Sequence, residues 1–171
     1  MSLKEIPYDR DSAVTYAREW AYARNKQYYD FSKIGGDCTN YASQSVYVGC
    51  KIMNFTPTYG WYYINVNDRA PAWTSVEYIY KFLTTNEDVG PYAIDVDISM
   101  IEAGDLVQIR FLGESVFGHT PVIIRIDGEK ILENIYIAAH SVDCDCRLLS
   151  TYNNVIEMRF LHILGARYRE I

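Results

Sequence analysis

The stretch Gly35-Gly36-Asp37-Cys38-Thr39-Asn40-Tyr41-Ala42-Ser43-Gln44 decides how the rest of the chain is read. Two glycines permit a tight backbone turn at little steric cost. The residues after them wind as a helix, because Tyr41, Ala42, Val46 and Tyr47 recur at helical spacing and Gly49 is placed to stop it. Cys38 then sits at or just inside a helix N-terminus. Unpaired N–H groups and the positive end of the helix dipole stabilise an anion there. For a cysteine that anion is the thiolate, its nucleophilic form. A buried cysteine opening an ordinary core helix is the plainer reading of the same residues. The Gly-Gly-Asp turn before it favours the nucleophile.

A thiol with a free pKa of about 8.5 needs a base or a positive neighbour to work near neutral pH. The chain has three histidines. His119, in Gly118-His119-Thr120-Pro121-Val122-Ile123-Ile124, opens an apolar strand, so its imidazole emerges where a sheet meets a cleft. His140 ends the next strand, in Ala138-Ala139-His140-Ser141, and His162 in Phe160-Leu161-His162-Ile163-Leu164 reads as a core histidine. If Asp127-Gly128 is a two-residue hairpin turn, His140 lies about 13 Å along the strand from the residue opposite His119. A loop of about six residues, 127 to 132, sets the two histidines directly opposite each other on one face. The longer loop is the one that permits a hydrogen bond, and it is the expectation adopted. Cys38 then attacks a carbonyl carbon, His119 moves the proton, and His140 orients His119. Asp143 is a fallback orienter and Asn134 a weaker one. The Cys38 N–H supplies one oxyanion donor, and Tyr29 or Tyr28 is the candidate for the second.

Outward from these residues the chain reads as one α+β domain, residues 1–171, with a core from about 8 to 167. The length of 171 residues suits a single core. Asp9 and Asp11 offer N-caps for a helix running to about Gln27, and Trp73-Thr74-Ser75 opens another, Val76 to Thr84. Asn54 to Trp73 has little period and many aromatics, and reads either as a wall of a substrate groove, with Tyr59, Trp61 and Trp73 as its surface, or as a cover over the core. Pro91 to Glu102 reads as a connector. Strands follow at 106–111, 119–126, 135–140 and 155–164, an order of helices then antiparallel strands.

Net charge is −6 and no Lys/Arg cluster is present, which disfavours nucleic acid and other polyanions. No apolar run reaches the length of a membrane span. The 16 Tyr and 3 Trp suit either peptide or sugar recognition or a Tyr-rich core. Cys144 and Cys146 fit no usual zinc spacing, no metal site is expected, and Asp143-Cys144-Asp145-Cys146 reads as an exposed turn. Met1-Ser2-Leu3-Lys4-Glu5 lacks the apolar core of a secretory signal, so the chain as given reads as cytoplasmic, or as extracellular if cut from a secreted precursor.

The Cys38 stretch, Pro57-Thr58-Tyr59-Gly60-Trp61-Tyr62, Gly118-His119-Thr120-Pro121-Val122-Ile123 and Ala138-Ala139-His140-Ser141 together resemble the bacterial putative amidase domain family. That family is similar to papain-like cysteine hydrolases and related to NlpC-type cell-wall peptidases and CHAP amidases. The resemblance implies a papain-like fold, Cys38 as nucleophile, His119 as base and His140 as the third polar residue. It also implies an amide substrate with no metal and no organic cofactor, and relatives that act on peptidoglycan stem peptides. Relatives often carry an Asn-Asp pair soon after the position of His140, where this chain has Val142-Asp143. Two other readings use the same cleft: a peptide- or cell-wall-binding module without chemistry, and an acyltransferase built on the same thiol.

Overall fold

The computed structural model describes residues 2–171; Met1, the first residue of the stretch read for a leader, lies outside them. The first half carries β1 (Leu3–Ile6), α1 (Arg10–Glu19), α2 (Cys38–Cys50), a two-stranded ribbon of β2 (Tyr63–Asn65) and β3 (Asp68–Arg69), α3 (Pro71–Thr74) and α4 (Val76–Thr85). The second half carries β4 (Gly90–Val96), β5 (Leu106–Phe111), β6 (Val122–Ile126), β7 (Ile135–Ala139), β8 (Cys144–Leu148) and β9 (Val155–Arg169). The class is α+β. Seven strands form one antiparallel sheet in the order β1-β9-β5-β6-β7-β8, with β4 on the other edge of β9. At 15 residues β9 is long enough to pair β5 with its first half and β1 with its last residues.

Caps set the helix boundaries. Asp9 accepts from Ser12 N at 3.0 Å and starts α1. That helix stops at Glu19, short of the expected Gln27, with Trp20 closing its last turn. Ser75 caps α4 by accepting from Tyr78 N. Helix α2 runs through Gly49 and ends only at Lys51, whose left-handed φ of 58° closes it.

Helix α2 is the centre of the molecule, since every residue from Cys38 to Val46 is buried. Its small polar side chains are therefore covered on all sides, and each needs a partner, because an unpaired buried polar group costs about 1–3 kcal/mol. Each has one. Ser43 Oγ donates to Trp73 O at 2.9 Å and accepts from Trp61 Nε1 at 3.0 Å. Ser45 Oγ donates to Ala13 O. Gln44 Oε1 accepts from Tyr16 Oη, and Asn40 Oδ1 accepts from Trp73 Nε1 at 3.0 Å. The stretch that reads as a catalytic motif is equally the peg on which α1, α3 and the aromatic segment are hung.

The sheet separates two apolar clusters. Val122, Ile124, Ala138, Leu161 and Ile163 face the helices, whereas Ile109, Ile123, Ile135, Ile137 and Phe160 face the opposite side under Ile101 and Leu149. With both faces covered, several strands are apolar without alternation. The β2–β3 ribbon and three strands of the large sheet escaped the sequence reading. β1 is short, β4 lies in the supposed Pro91–Glu102 connector, and β8 occupies Cys144–Leu148, where an exposed turn was expected.

Candidate active site

Cys38 opens α2 with 7% of its surface exposed. Its sulfur lies 3.9 Å from the Gly118 carbonyl and 3.8 Å from Thr39 Oγ1. Thr39 Oγ1 is in turn 3.1 Å from Thr120 Oγ1. The Cys38 turn is thus sewn to the Gly118–Thr120 segment, whose middle residue is His119. Sequence reasoning paired these two residues, and the fold brings the segments that carry them into contact.

The third member differs from the expectation. Val122 pairs with Ala138 and Ile126 with Ile135, so the β6–β7 connection is longer than either loop considered. This register sets Thr120, not His119, level with His140. A one-residue change of register reverses the face of every side chain, so the two histidines project to opposite sides of the sheet. His119 Nε2 instead lies 3.1 Å from Tyr152 Oη, its ring against Tyr152 and Phe111. His140 lies over Tyr41 of α2, with ring centroids 4.1 Å apart. Its Nδ1 is 2.5 Å from Asp37 Oδ2 and its Nε2 is 2.8 Å from Trp20 O. Both ring nitrogens are taken, and neither by His119.

Asp37 is the hub that the sequence reading passed over. It is 1% exposed, and its carboxylate accepts from Phe31 N at 2.8 Å, Asn40 Nδ2 at 2.9 Å and His140. The Arg24 guanidinium approaches to 3.7 Å. Together these fix the turn that delivers Cys38. Gly36 adopts φ +99°, a value side chains rarely tolerate, and a Cβ there would meet Ser141 Oγ at 3.2 Å. Ser141 Oγ accepts from Asp37 N, tying the turn to the end of β7. Asp143, the fallback orienter, forms a two-pronged pair with Arg24 at 2.9 and 3.1 Å. Asn134 donates to Glu129 O in an exposed turn. Neither serves His119.

The groove residues also move. Trp61 and Trp73 are wholly buried, their rings 4.7 Å apart, because their N–H groups find partners inside on α2. They are core, not groove wall. Tyr59 is exposed but lines a separate concavity with Tyr78, Lys81 and Thr85. Tyr28 stacks on Trp73, and Tyr29 donates its N–H to Tyr63 Oη while Asn40 Nδ2 donates to its carbonyl. The cleft beside His119 holds about 460 Å³ and is lined by Phe111, Gly118, Ser141, Val142, Arg147, Tyr152 and Asn153. Tyr152 and Arg147 were not singled out in the sequence.

Electrostatics at the pair run against the helix-terminus expectation. Burial pushes the Cys38 thiol up, and bonds from the Thr39 hydroxyl and from the Thr120 and Thr39 N–H groups recover only part of that. Burial, with a smaller contribution from the nearby Arg147 charge, lowers His119 to about 4. A sulfur this enclosed loses more solvation than a helix terminus restores. Near neutral pH both groups therefore rest uncharged, Cys38 as a thiol and His119 as an imidazole. Among the described residues, no three His, Cys, Asp or Glu side chains are grouped to hold a metal. No described helix is long and apolar enough to cross a membrane.

Fold and site together define an α+β protein in which a cysteine-bearing helix is pinned to a histidine-bearing sheet. Over residues 7–163 the chain matches the family described as Putative amidase domain, and it belongs to that family. An amidase domain implies an amide substrate. No curated protein and no solved structure matches the chain.

Proposed function

We propose that the protein is a cysteine-dependent amide hydrolase in which Cys38 is the nucleophile, His119 the base and Tyr152 the group that orients His119. The observation that carries the reading is the seat of the Cys38 sulfur against Gly118–Thr120, within the family match. Tyr152 engages His119 Nε2. With Nε2–H donating to Tyr152 Oη, Nδ1 is the nitrogen left to take the thiol proton. The sulfur then adds to the amide carbon, and the Cys38 N–H at the uncapped start of α2 stabilises the oxyanion. His119 returns the proton to the departing amine. Water, deprotonated by His119, cleaves the thioester and restores the thiol.

A neutral resting pair suits this order of events. The imidazole withdraws the proton as the sulfur attacks, so no ion pair has to persist in a buried site. His140 acts as a positioning residue, holding Asp37 and through it the Cys38 turn. The cysteine helix against an antiparallel sheet supports the papain-like reading, and a peptide-like amide, with peptidoglycan among such substrates, is the substrate that reading favours.

The test is a panel of peptide amides assayed with wild type, Cys38→Ala, His119→Ala and His140→Ala. Any amide turned over by wild type is spared by the first two variants, and His140→Ala retains weaker activity. Equal rates in wild type and Cys38→Ala would remove the hydrolase reading. Release of amine without acid, with the acyl group passed to an added amine, would reassign the protein as an acyltransferase. Binding of a peptide without cleavage would make it a binding module.

A further inference from the structure

Eight of the ten arginines in the chain pair with a carboxylate. Of the other two, Arg69 is spent within its own segment, donating to Val66 O and Thr74 Oγ1 and lying over Phe31. Arg147 is the exception that faces the cleft. It is the charged side chain among those lining the 460 Å³ space beside His119. Its Nε donates to Thr151 Oγ1 at 2.9 Å and its Nη2 to Thr151 O at 3.2 Å, while its Cζ sits 3.8 Å over the Tyr152 ring. A guanidinium offers five N–H donors in a planar fork. The two bonds to Thr151 and the stacking on Tyr152 fix that fork and leave donors unspent.

The position matters as much as the vacancy. The Tyr152 ring that carries Arg147 is 5.6 Å from the His119 ring, so the cation lies one aromatic ring away from the base. Its charge is felt at His119. Placing a cation beside a base that must gain a proton opposes that protonation. The arrangement makes sense if an anion comes in to offset it. A chain of net charge −6 would otherwise repel an anionic substrate.

We propose that Arg147 anchors a carboxylate of the substrate, so that the amide cleaved belongs to an amino-acid-derived molecule with a free carboxylate close to the scissile bond. The proposal rests on the reading of Cys38 and His119 as the reacting pair. A carboxylate on the fork is bound in two-pronged fashion, which fixes both its distance and its plane. It also neutralises Arg147, so substrate binding raises the affinity of His119 for the thiol proton. Specificity and base strength are then set by one contact.

Alkylation of Cys38 tests this without an identified substrate. Iodoacetate and iodoacetamide differ in carrying a carboxylate or a neutral amide, and their rates at Cys38 can be read by peptide mass mapping, which separates it from the other three cysteines. Wild type is expected to favour iodoacetate, relative to the same ratio for glutathione, by about tenfold. In Arg147→Gln that preference is lost through a fall in the iodoacetate rate, while the iodoacetamide rate holds or rises as the charge opposing His119 is removed, and Arg147→Lys, which keeps the charge, restores much of the preference. An unchanged ratio in Arg147→Gln overturns the proposal. So does an equal slowing with both reagents, which would make Arg147 a prop for Tyr152, and so does a Cys38 that neither reagent reaches. Because alkylation needs no amide turnover, an Arg147-dependent preference in a protein that cleaves no amide would retain the carboxylate site and remove the hydrolase reading.

Discussion

Acidification probes the burial of His119. Burial and the Arg147 charge lower its imidazole from the ordinary 6.5 to about 4 in the folded protein. In the unfolded chain it binds a proton near 6.5. Between these two values the unfolded state holds more protons, so stability falls as the pH drops from about 6.5 towards 4. At about 1.36 kcal/mol per pH unit the interval comes to about 3 kcal/mol. A His119→Gln variant has no such group. The stability difference between wild type and variant is therefore expected to be constant above pH 7 and to move by about 3 kcal/mol in the variant's favour by pH 4. Other ionisations cancel in that difference. Urea unfolding at closely spaced pH values measures it, with the linear slope checked for constancy. The same shift places the acid limb of kcat/KM near pH 4, not near 6.5, for any amide the protein cleaves. A stability difference that does not change with pH, together with an acid limb at 6.5, would show that His119 is solvated, and the neutral-pair account would fall with it.

Three further outcomes follow from the same geometry. Asp37→Ala strips partners from Phe31 N, Asn40 and His140 and leaves Arg24 facing a gap, so a loss of about 3–5 kcal/mol in urea unfolding is expected; a loss under about 1 kcal/mol would contradict the hub. Tyr152→Phe keeps the ring under Arg147 but removes the hydroxyl from His119, and kcat/KM is expected to fall about five- to tenfold with a stability loss of about 1–3 kcal/mol from the unpaired ring nitrogen; an unchanged kcat/KM would strip Tyr152 of its orienting role. Val142 holds φ 74° with 81% of its surface exposed, so Val142→Gly trades left-handed strain against chain entropy and is expected to stabilise by about 1 kcal/mol; a destabilised variant would show that the turn needs the side chain.

What the sequence made legible was local and periodic. The helical spacing after Cys38, the Asp9 and Ser75 caps and the runs at 106–111 and 155–164 correspond to elements of the structure because each reflects a rule acting within a few residues. The closeness of Cys38 to the His119 segment was also legible, since a thiol with three histidines to choose from leaves few options. The partner of His119 was not. It depended on the β6–β7 register, which turned on the exact loop length, and a single residue sufficed to send His140 to the other face. Tyr152 had no local signature among 16 tyrosines. Asp37 stood inside the motif, yet only its burial shows that it holds His140. Trp61 and Trp73 misled because their aperiodic, aromatic surroundings read as surface, whereas the donors of both indoles are satisfied by polar side chains of a buried helix. The strand β4 was missed because it takes its partner, β9, from distant sequence, and β8 because the turn expected at 143–146 lies at 140–143, directly before it.

The thiol–imidazole pair is tested most directly by locating the acyl group left by an activated ester such as p-nitrophenyl acetate. Peptide mass mapping of the briefly reacted protein is predicted to find it on Cys38, to find none at any residue in Cys38→Ala, and to show its formation slowed in His119→Ala. An acyl group carried by Cys50, Cys144 or Cys146, or acylation of Cys38 at the same rate with His119 removed, would contradict the account.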